Sequence, residues 1–391
     1  MHKSEWKTAV AEKLLAKHCS RIPTVARYSL DVLTGNVPTG RMVFLAVERF
    51  LNDLKQSETA ANADLSSVSA QAAVFPYYFD QGGAVAIIKF YRDLAFHTKP
   101  LIGYEQFIVA NLFGWKKRAD GFRRFTESYI EIAKGNRKTP LAAGVGIYGI
   151  IADEEPAAEV YIVAPTKDQA AIAFKDAATM VDGCPELRKL IKKFGCSNKY
   201  TSGNLSHGAS FMRPVAADRD TLDGPRPHIV IVDEEHEHKD PQVVGKLIAG
   251  FKARRQPLAF KITNSGWDRE TICWEDHELA RRVLERVIKK DTFFAYVCHL
   301  DVCPECRQKG KDMPTCDNCD NWLDEACWIK TNPALDVIVT KEYLRNQVKD
   351  AMDKPSGRNL VLRLNFCTWT QSEDRFISPD AWRACAWEEA A

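Results

Sequence analysis

Apolar and polar positions follow two regimes along this chain. Over the first hundred residues the apolar positions recur at helical spacing. Ser4–His18 is amphipathic, and Gly40–Leu54 (GRMVFLAVERFLNDL) and Ala84–Ala95 (AVAIIKFYRDLA) carry the same period, whereas Gln56–Ala70 is polar and reads as a loop. From about residue 125 the pattern shifts to short apolar, β-branched runs. Phe125–Ala133, Glu159–Ala164 (EVYIVA), His228–Asp233 and Leu258–Thr263 (LAFKIT) predict strands. Leu141–Ala152, Lys167–Met180 and Pro185–Phe194 predict the helices between them. Strands alternating with helices predict an α/β fold with a mostly parallel sheet and helices on both faces. A helix over Asp276–Lys289, a strand over Thr292–His299 and a helix over Thr340–Met352 follow. The expected units are a helical lead-in (1–100), the α/β core (101–299), an insertion (300–323) and a linker subdomain (324–391).

The strand ending at Asp233 belongs to Pro227–His238, PHIVIVDEEHEH. An open α/β sheet binds its ligands at strand tips. There, Asp233 suits a hydrated Mg²⁺, which prefers hard oxygen ligands, and Glu234 suits a general base that polarises water. The plain alternative is a solvated acidic turn. Upstream, Ile132–Thr139 (IAKGNRKT) sits between a predicted strand and a predicted apolar helix. Strand, polar turn, Lys-Thr and helix form the P-loop arrangement. Backbone N–H groups of Lys134, Gly135, Asn136 and Arg137 would cradle phosphate, Lys138 would reach the terminal phosphates and the Thr139 hydroxyl would bind Mg²⁺. Pro140 fits the first helical turn, where its missing N–H costs nothing. The usual pattern has Gly where Ile132 and Arg137 stand, and Gly at the second position permits awkward φ/ψ. A basic surface loop is the alternative.

Residues 101–124 place Tyr104, Gln106, Phe107, Phe113 and Trp115 just before the first sheet strand. Most of these aromatics suit burial against the sheet, and Gln106 is the candidate reader of adenine. The other strand tips carry PTKDQ (Pro165–Gln169) and NSG (Asn264–Gly266), which converge on the same sheet edge and could sense the γ-phosphate. Cys303, Cys306, Cys316 and Cys319 form two CxxC pairs nine residues apart, a pattern for a closed, structural zinc site. Cys327 is a spare thiol. Trp328, Asn332, Pro333, Asn365, Trp369 and Trp382 enrich the last segment, with the tryptophans as packing anchors. A net charge of +2 means that any nucleic-acid contact depends on local patches such as Lys252–Arg255. No apolar run reaches the roughly 18 residues of a membrane span, and the N-terminus lacks a signal peptide's apolar core.

Several of these motifs, in order, resemble the large terminase subunits of tailed bacteriophages, in the HK97-like branch. They are Phe113–Trp115, the KGNRKT cradle, Ala164–Ala170, Leu222–His238, Gln256–Gly266, Asp324–Leu335 and Arg363–Trp369. The resemblance implies a P-loop ATPase of RecA/ASCE type that drives double-stranded DNA through a portal into a procapsid. Its partners would be the small terminase subunit and further copies in a ring, in the host cytoplasm. It implies Lys138 and Thr139 as phosphate and Mg²⁺ residues, Asp233 as the Mg²⁺-side acid, Glu234 as the base, Thr263 and Asn264 as the coupling motif and Gln106 as the adenine contact. The transition-state arginine is open among Arg123, Arg124, Arg213, Arg226, Arg254 and Arg255. The family's nuclease acids have no visible counterpart, so no nuclease activity is expected here. Two other readings stay open: a superfamily 2-like DNA-stimulated NTPase or helicase, and a zinc-stabilised DNA-binding assembly protein with a degenerate ATP site.

Overall fold

The computed structural model describes residues 6–62, 74–94, 100–196, 200–216, 224–238, 241–309, 314 and 316–370. Leu222 and Trp382, singled out above, lie outside them. Eight strands form one sheet: β3 (Glu127–Glu131), β4 (Glu159–Ala164), β5 (Lys192–Phe194), β6 (Asn204–His207), β7 (Ser210–Ala216), β8 (Pro227–Asp233), β9 (Leu258–Thr263) and β10 (Phe293–Val297), in the order β10-β3-β9-β8-β4-β7-β6-β5. All pairs from β10 to β7 are parallel, and β6 and β5 add an antiparallel extension. The central strands β8 and β9 are buried at every position. Continuous apolar runs, rather than alternating ones, follow from a parallel sheet covered on both faces. β1 (Tyr77–Phe79) and β2 (Trp115–Lys117) form a separate two-stranded ribbon.

The expected helix after the cradle runs over Lys138–Ile151. Its glycines would cost the isolated helix about 1 kcal/mol each, yet the packing needs them. A Cβ on Gly146 would stand 2.6 Å from Met212 Cε, and one on Gly149 would stand 2.4 Å from Ile229 Cδ1. The helix therefore lies tight across β8. The lead-in is helical as expected, over Thr8–His18, Pro23–Thr34, Arg41–Ala61 and Gln81–Asp93.

Three expectations need correction. The third of these helices continues through Gln56 to Ala61, because Ser57 and Ala60 still face the core. The helix expected over Pro185–Phe194 stops at Leu190, and Lys192–Phe194 joins the sheet edge by pairing with β6. The helix expected from Asp276 begins at Ile272, where the Thr271 hydroxyl caps it by accepting from the Trp274 N–H. After the sheet come short helices over Pro304–Gln308, Glu325–Thr331, Lys341–Asp353 and Arg358–Phe366. Trp328 and Phe366 anchor their own small core with Trp322, as expected for the tryptophans of this segment. Among the described residues no helix is long and apolar enough to cross a membrane.

Candidate functional site

Sheet order builds the site. β9 lies between β3, which feeds the cradle, and β8, which carries the acid pair. The tip of β9 therefore falls between cradle and acids, and Asn264 bridges them. Its Oδ1 accepts from Lys138 Nζ at 2.6 Å, and its Nδ2 donates to Glu234 Oε2 at 3.3 Å. Lys138 is buried, and its ammonium also donates to the carbonyls of Ile132 (2.5 Å) and Ala133 (3.2 Å). Burial lowers its pKa, while Glu234 and Asp233 pull the other way. The Thr139 hydroxyl donates to Asp233 Oδ2 at 3.2 Å.

Asp233 is pushed up to about 7, first by burial and then by the neighbouring Glu234 charge. Lys138 opposes this rise without offsetting it, and the hard oxygens of Asp233 with the Thr139 hydroxyl fit a Mg²⁺ ion. Glu234 sits in the left-handed region at φ +49°, which turns it out of the strand direction. The strain of such a residue is of order 1–3 kcal/mol and is typical of functional sites.

Thr263 holds the following turn. Its hydroxyl accepts from the His236 N–H at 3.0 Å and donates to Asn264 O at 2.8 Å. His236 is lowered to about 4, chiefly by burial. Of the other strand-tip motif, Gln169 reaches Glu237 at 2.7 Å, so Pro165–Gln169 borders the acid turn rather than the cradle.

Arg137 occupies the position where Gly is usual and takes the conformation Gly would take, φ +57° and ψ +25°. Its guanidinium Nε lies 3.3 Å from Glu105 Oε1, and Glu105 is 1% exposed. Burial raises Glu105 to about 7, with Arg137 opposing. Gly135 is also left-handed, at φ +85°. Gln106 lies on the helix Gly103–Gly114, as does Tyr104, whose hydroxyl donates to Asn136 O at 2.6 Å in the cradle. The Gln106 amide itself donates to Leu101 O at 2.8 Å. Phe107, Phe113 and Trp115 are buried, as their apolar setting implies.

The candidate arginines are not brought to the site. Arg123 and Arg124 are buried on Asp153 and Asp53. Arg254 and Arg255 donate to carbonyls of residues 154–157, and the Arg226 N–H bonds Glu159, all at the amino ends of the strands. Arg213 stacks on Tyr161 and Phe211 in mid-sheet. Two of the charges expected to contact DNA, Arg254 and Arg255, thus brace the edge opposite the acids. Sequence reasoning missed Arg363, which lies near enough to help lower His236. Position alone signals it, within the Arg363–Trp369 motif.

The four cysteines converge. Their sulfurs all lie within 4.8 Å of one another, with Cys316 at 3.5–3.6 Å from the other three. Tetrahedral Zn–S bonds of about 2.3 Å require sulfurs about 3.8 Å apart, so the set fits zinc. Cys327 stands apart, with its sulfur 3.6 Å from Asp320.

Comparison with known proteins gives a consistent picture. The ATPase domain model of the terminase large subunit matches residues 103–282, and the endonuclease domain model of the same subunit matches residues 313–390. The chain is 26% identical over 263 residues to the terminase large subunit of Enterobacteria phage HK97, covering 66% of this chain and 47% of that protein. It is 26% identical over 163 residues to protein YmfN of Escherichia coli K12, covering 42% and 32%. It thus spans less than half the length of these curated relatives. The crystal structure of the HK97 large terminase superposes with a TM-score of 0.59 at 19% identity, over 77% of this chain and 58% of that one. The endonuclease match over 313–390 does not bear out the expectation that this chain carries no nuclease part.

Proposed function

We propose that this chain, which belongs to the large terminase subunits of HK97-like phages, hydrolyses ATP at the Asn264-bridged site and couples that hydrolysis to moving double-stranded DNA into a procapsid. One observation carries the reading: a hydrogen-bonded path, Lys138 to Asn264 to Glu234, joins cradle and acid pair into one site. In this reading the backbone N–H groups of Gly135–Thr139 cradle the phosphates, the Lys134 N–H, expected to join them, being held instead by Leu364 O at 2.7 Å, and Lys138 exchanges one of its carbonyl partners for a terminal phosphate oxygen. Gln106 faces adenine, and Glu234 orients the attacking water and takes its proton. Thr139 and Asp233 hold Mg²⁺, which neutralises phosphate charge when bound. Asn264 touches both the lysine and the base, so it can register loss of the γ-phosphate and relay it along β9.

None of the six expected arginines reaches this edge. We assign the transition-state arginine to a neighbouring copy in a ring, with Arg363, beside His236, the candidate within the chain. Portal, procapsid and small terminase subunit are the remaining partners, and contact with DNA is through its phosphates and therefore salt-sensitive. Cys303, Cys306, Cys316 and Cys319 hold one structural zinc.

The test is Mg²⁺-dependent phosphate release from ATP, with and without duplex DNA. Turnover is expected, increasing with DNA. A chain that neither binds nor hydrolyses ATP overturns the reading. Elemental analysis is expected to find one zinc per chain, and none would remove the metal assignment.

A further inference from the structure

The cradle is held from outside the α/β core. Asn136, 1% exposed, donates from Nδ2 to Asn332 Oδ1 at 3.0 Å and to Ala133 O at 3.0 Å, and its Oδ1 accepts from the Ala334 N–H at 3.0 Å. Every hydrogen-bonding atom of that amide group is therefore engaged inside the loop or across to 332–334. Asn332 is fully buried, and its Nδ2 donates to Asn365 O at 2.9 Å and to Trp328 O at 3.3 Å. The backbone repeats the link. The Lys134 N–H donates to Leu364 O at 2.7 Å, and the Ala133 N–H donates to Thr331 O at 3.3 Å. Val339 closes on Gly135.

This outer frame is itself fixed. Lys330, beside Asn332, pairs with Asp301 at 3.1 Å and Asp320 at 2.8 Å, next to the cysteine cluster. The Trp328 indole donates to Trp322 O at 2.8 Å.

A phosphate cradle works by presenting N–H groups in a fixed curve. Here two residues of that curve, Arg137 and Gly135, are in the left-handed region, where Arg137 is strained. A strained loop keeps its shape only if its surroundings over-determine it, and the bonds from 331–334 and 364 supply that constraint. We propose that Asn332 is a positioning residue of the nucleotide site: through Asn136 it holds the cradle in its phosphate-binding shape and ties the 325–366 helices to nucleotide occupancy. The proposal rests on the ATPase reading above.

Steady-state ATP hydrolysis by the chain and by Asn332→Ala tests it. Losing the acceptor of a buried amide at this site is expected to raise KM for ATP about tenfold, while kcat at saturation falls less than threefold, because Glu234 and Asp233 are untouched. In a double-mutant cycle with Asn136→Ala, the two changes together should weaken nucleotide binding no more than the larger alone. A residue with a merely structural role would lower thermal stability and leave KM unchanged, and that result overturns the proposal, as does additivity in the cycle. Hydrogen exchange on the unmodified chain gives an answer that needs no variant. ADP with Mg²⁺ should slow exchange at 331–334 together with 133–138, and protection confined to the cradle contradicts the link. An unmodified chain without ATP turnover or binding fails the functional reading itself. An active one with an unmoved Asn332→Ala KM fails this proposal alone.

Discussion

The two ends of strand β8 carry the same chemistry to opposite outcomes. At its start His228 is buried against Asp153, with Nε2 2.7 Å from the carboxylate, and Arg123 pairs with the same oxygen. At its end Asp233 is also buried, but its neighbours are the like-charged Glu234, the Lys138 ammonium, which makes no direct ion pair with it, and the Thr139 hydroxyl. Burial pushes both carboxylates up. At Asp153 the Arg123 guanidinium and His228 outweigh burial and hold it below the ordinary range. At Asp233 the Lys138 ammonium opposes burial and Glu234 but does not outweigh them, and it stands at about 7. The lesson is that burial alone does not mark a site. A buried acid ion-paired to its own counter-charge holds structure, whereas Asp233, with its charge only partly offset, suits the cation proposed for it above.

The sharpest break in this comparison is in activity. Glu234→Gln should lower ATP turnover by about 10²–10⁴-fold, as expected for loss of a general base, with nucleotide still bound. Asp153→Ala should leave KM for ATP nearly unchanged but cost about 3–5 kcal/mol of stability, because Arg123 becomes an unpaired buried charge. Chemical denaturation measures it. The pH dependence follows from the sign of the shift. Asp153 is lowered on folding, so its contribution is complete above the ordinary carboxylate range and is lost as pH falls below it. Asp153→Asn should therefore flatten the acid limb of the stability curve.

Glu105 gives the smaller and opposite case. Folding raises it to about 7, so its protonated form stabilises the fold at low pH and that contribution fades as pH rises through 7. Arg137→Gly removes the opposing charge and relieves a positive φ. Its melting temperature should fall more steeply than that of the unmodified chain between pH 5.5 and 8.5, and Glu105→Gln should abolish the difference. Chelation of zinc should lower the melting temperature and loosen 303–331, with proteolysis as the readout; an unchanged cleavage pattern would contradict a structural metal.

The centre of the sheet was readable because β4 and β8 hold continuous apolar stretches (Val160–Ala164 and Ile229–Val232) and β9 is broken only by Lys261 before its last two residues, its buried ammonium paired with Glu127 and Asp276. Glu159–Ala164 and Leu258–Thr263 have the predicted bounds. The edge was not readable. Lys192–Phe194 is exposed, short and basic, and only its pairing with β6 makes it a strand. The cradle and acids were legible as motifs, and the Asn264 bridge follows from strand order. Two features were hidden. Whether Arg137 could replace Gly depended on its backbone angles and on Glu105, which no local pattern reveals. The Asn136–Asn332 contact joins residues 196 apart in sequence, beyond any periodicity. The arginines misled because charge is visible in a sequence while its position at one end of a strand or the other is not.

In the proposed function, cradle and acid pair form one ATP site bridged by Asn264. Phosphate release from ATP with Mg²⁺, measured beside equilibrium ATP binding for the chain, Lys138→Ala and Glu234→Gln, addresses it most directly. Turnover is expected only in the unmodified chain, with ATP binding retained by Glu234→Gln and lost in Lys138→Ala. Equal turnover in the chain and Glu234→Gln, or binding indifferent to Lys138, would contradict it.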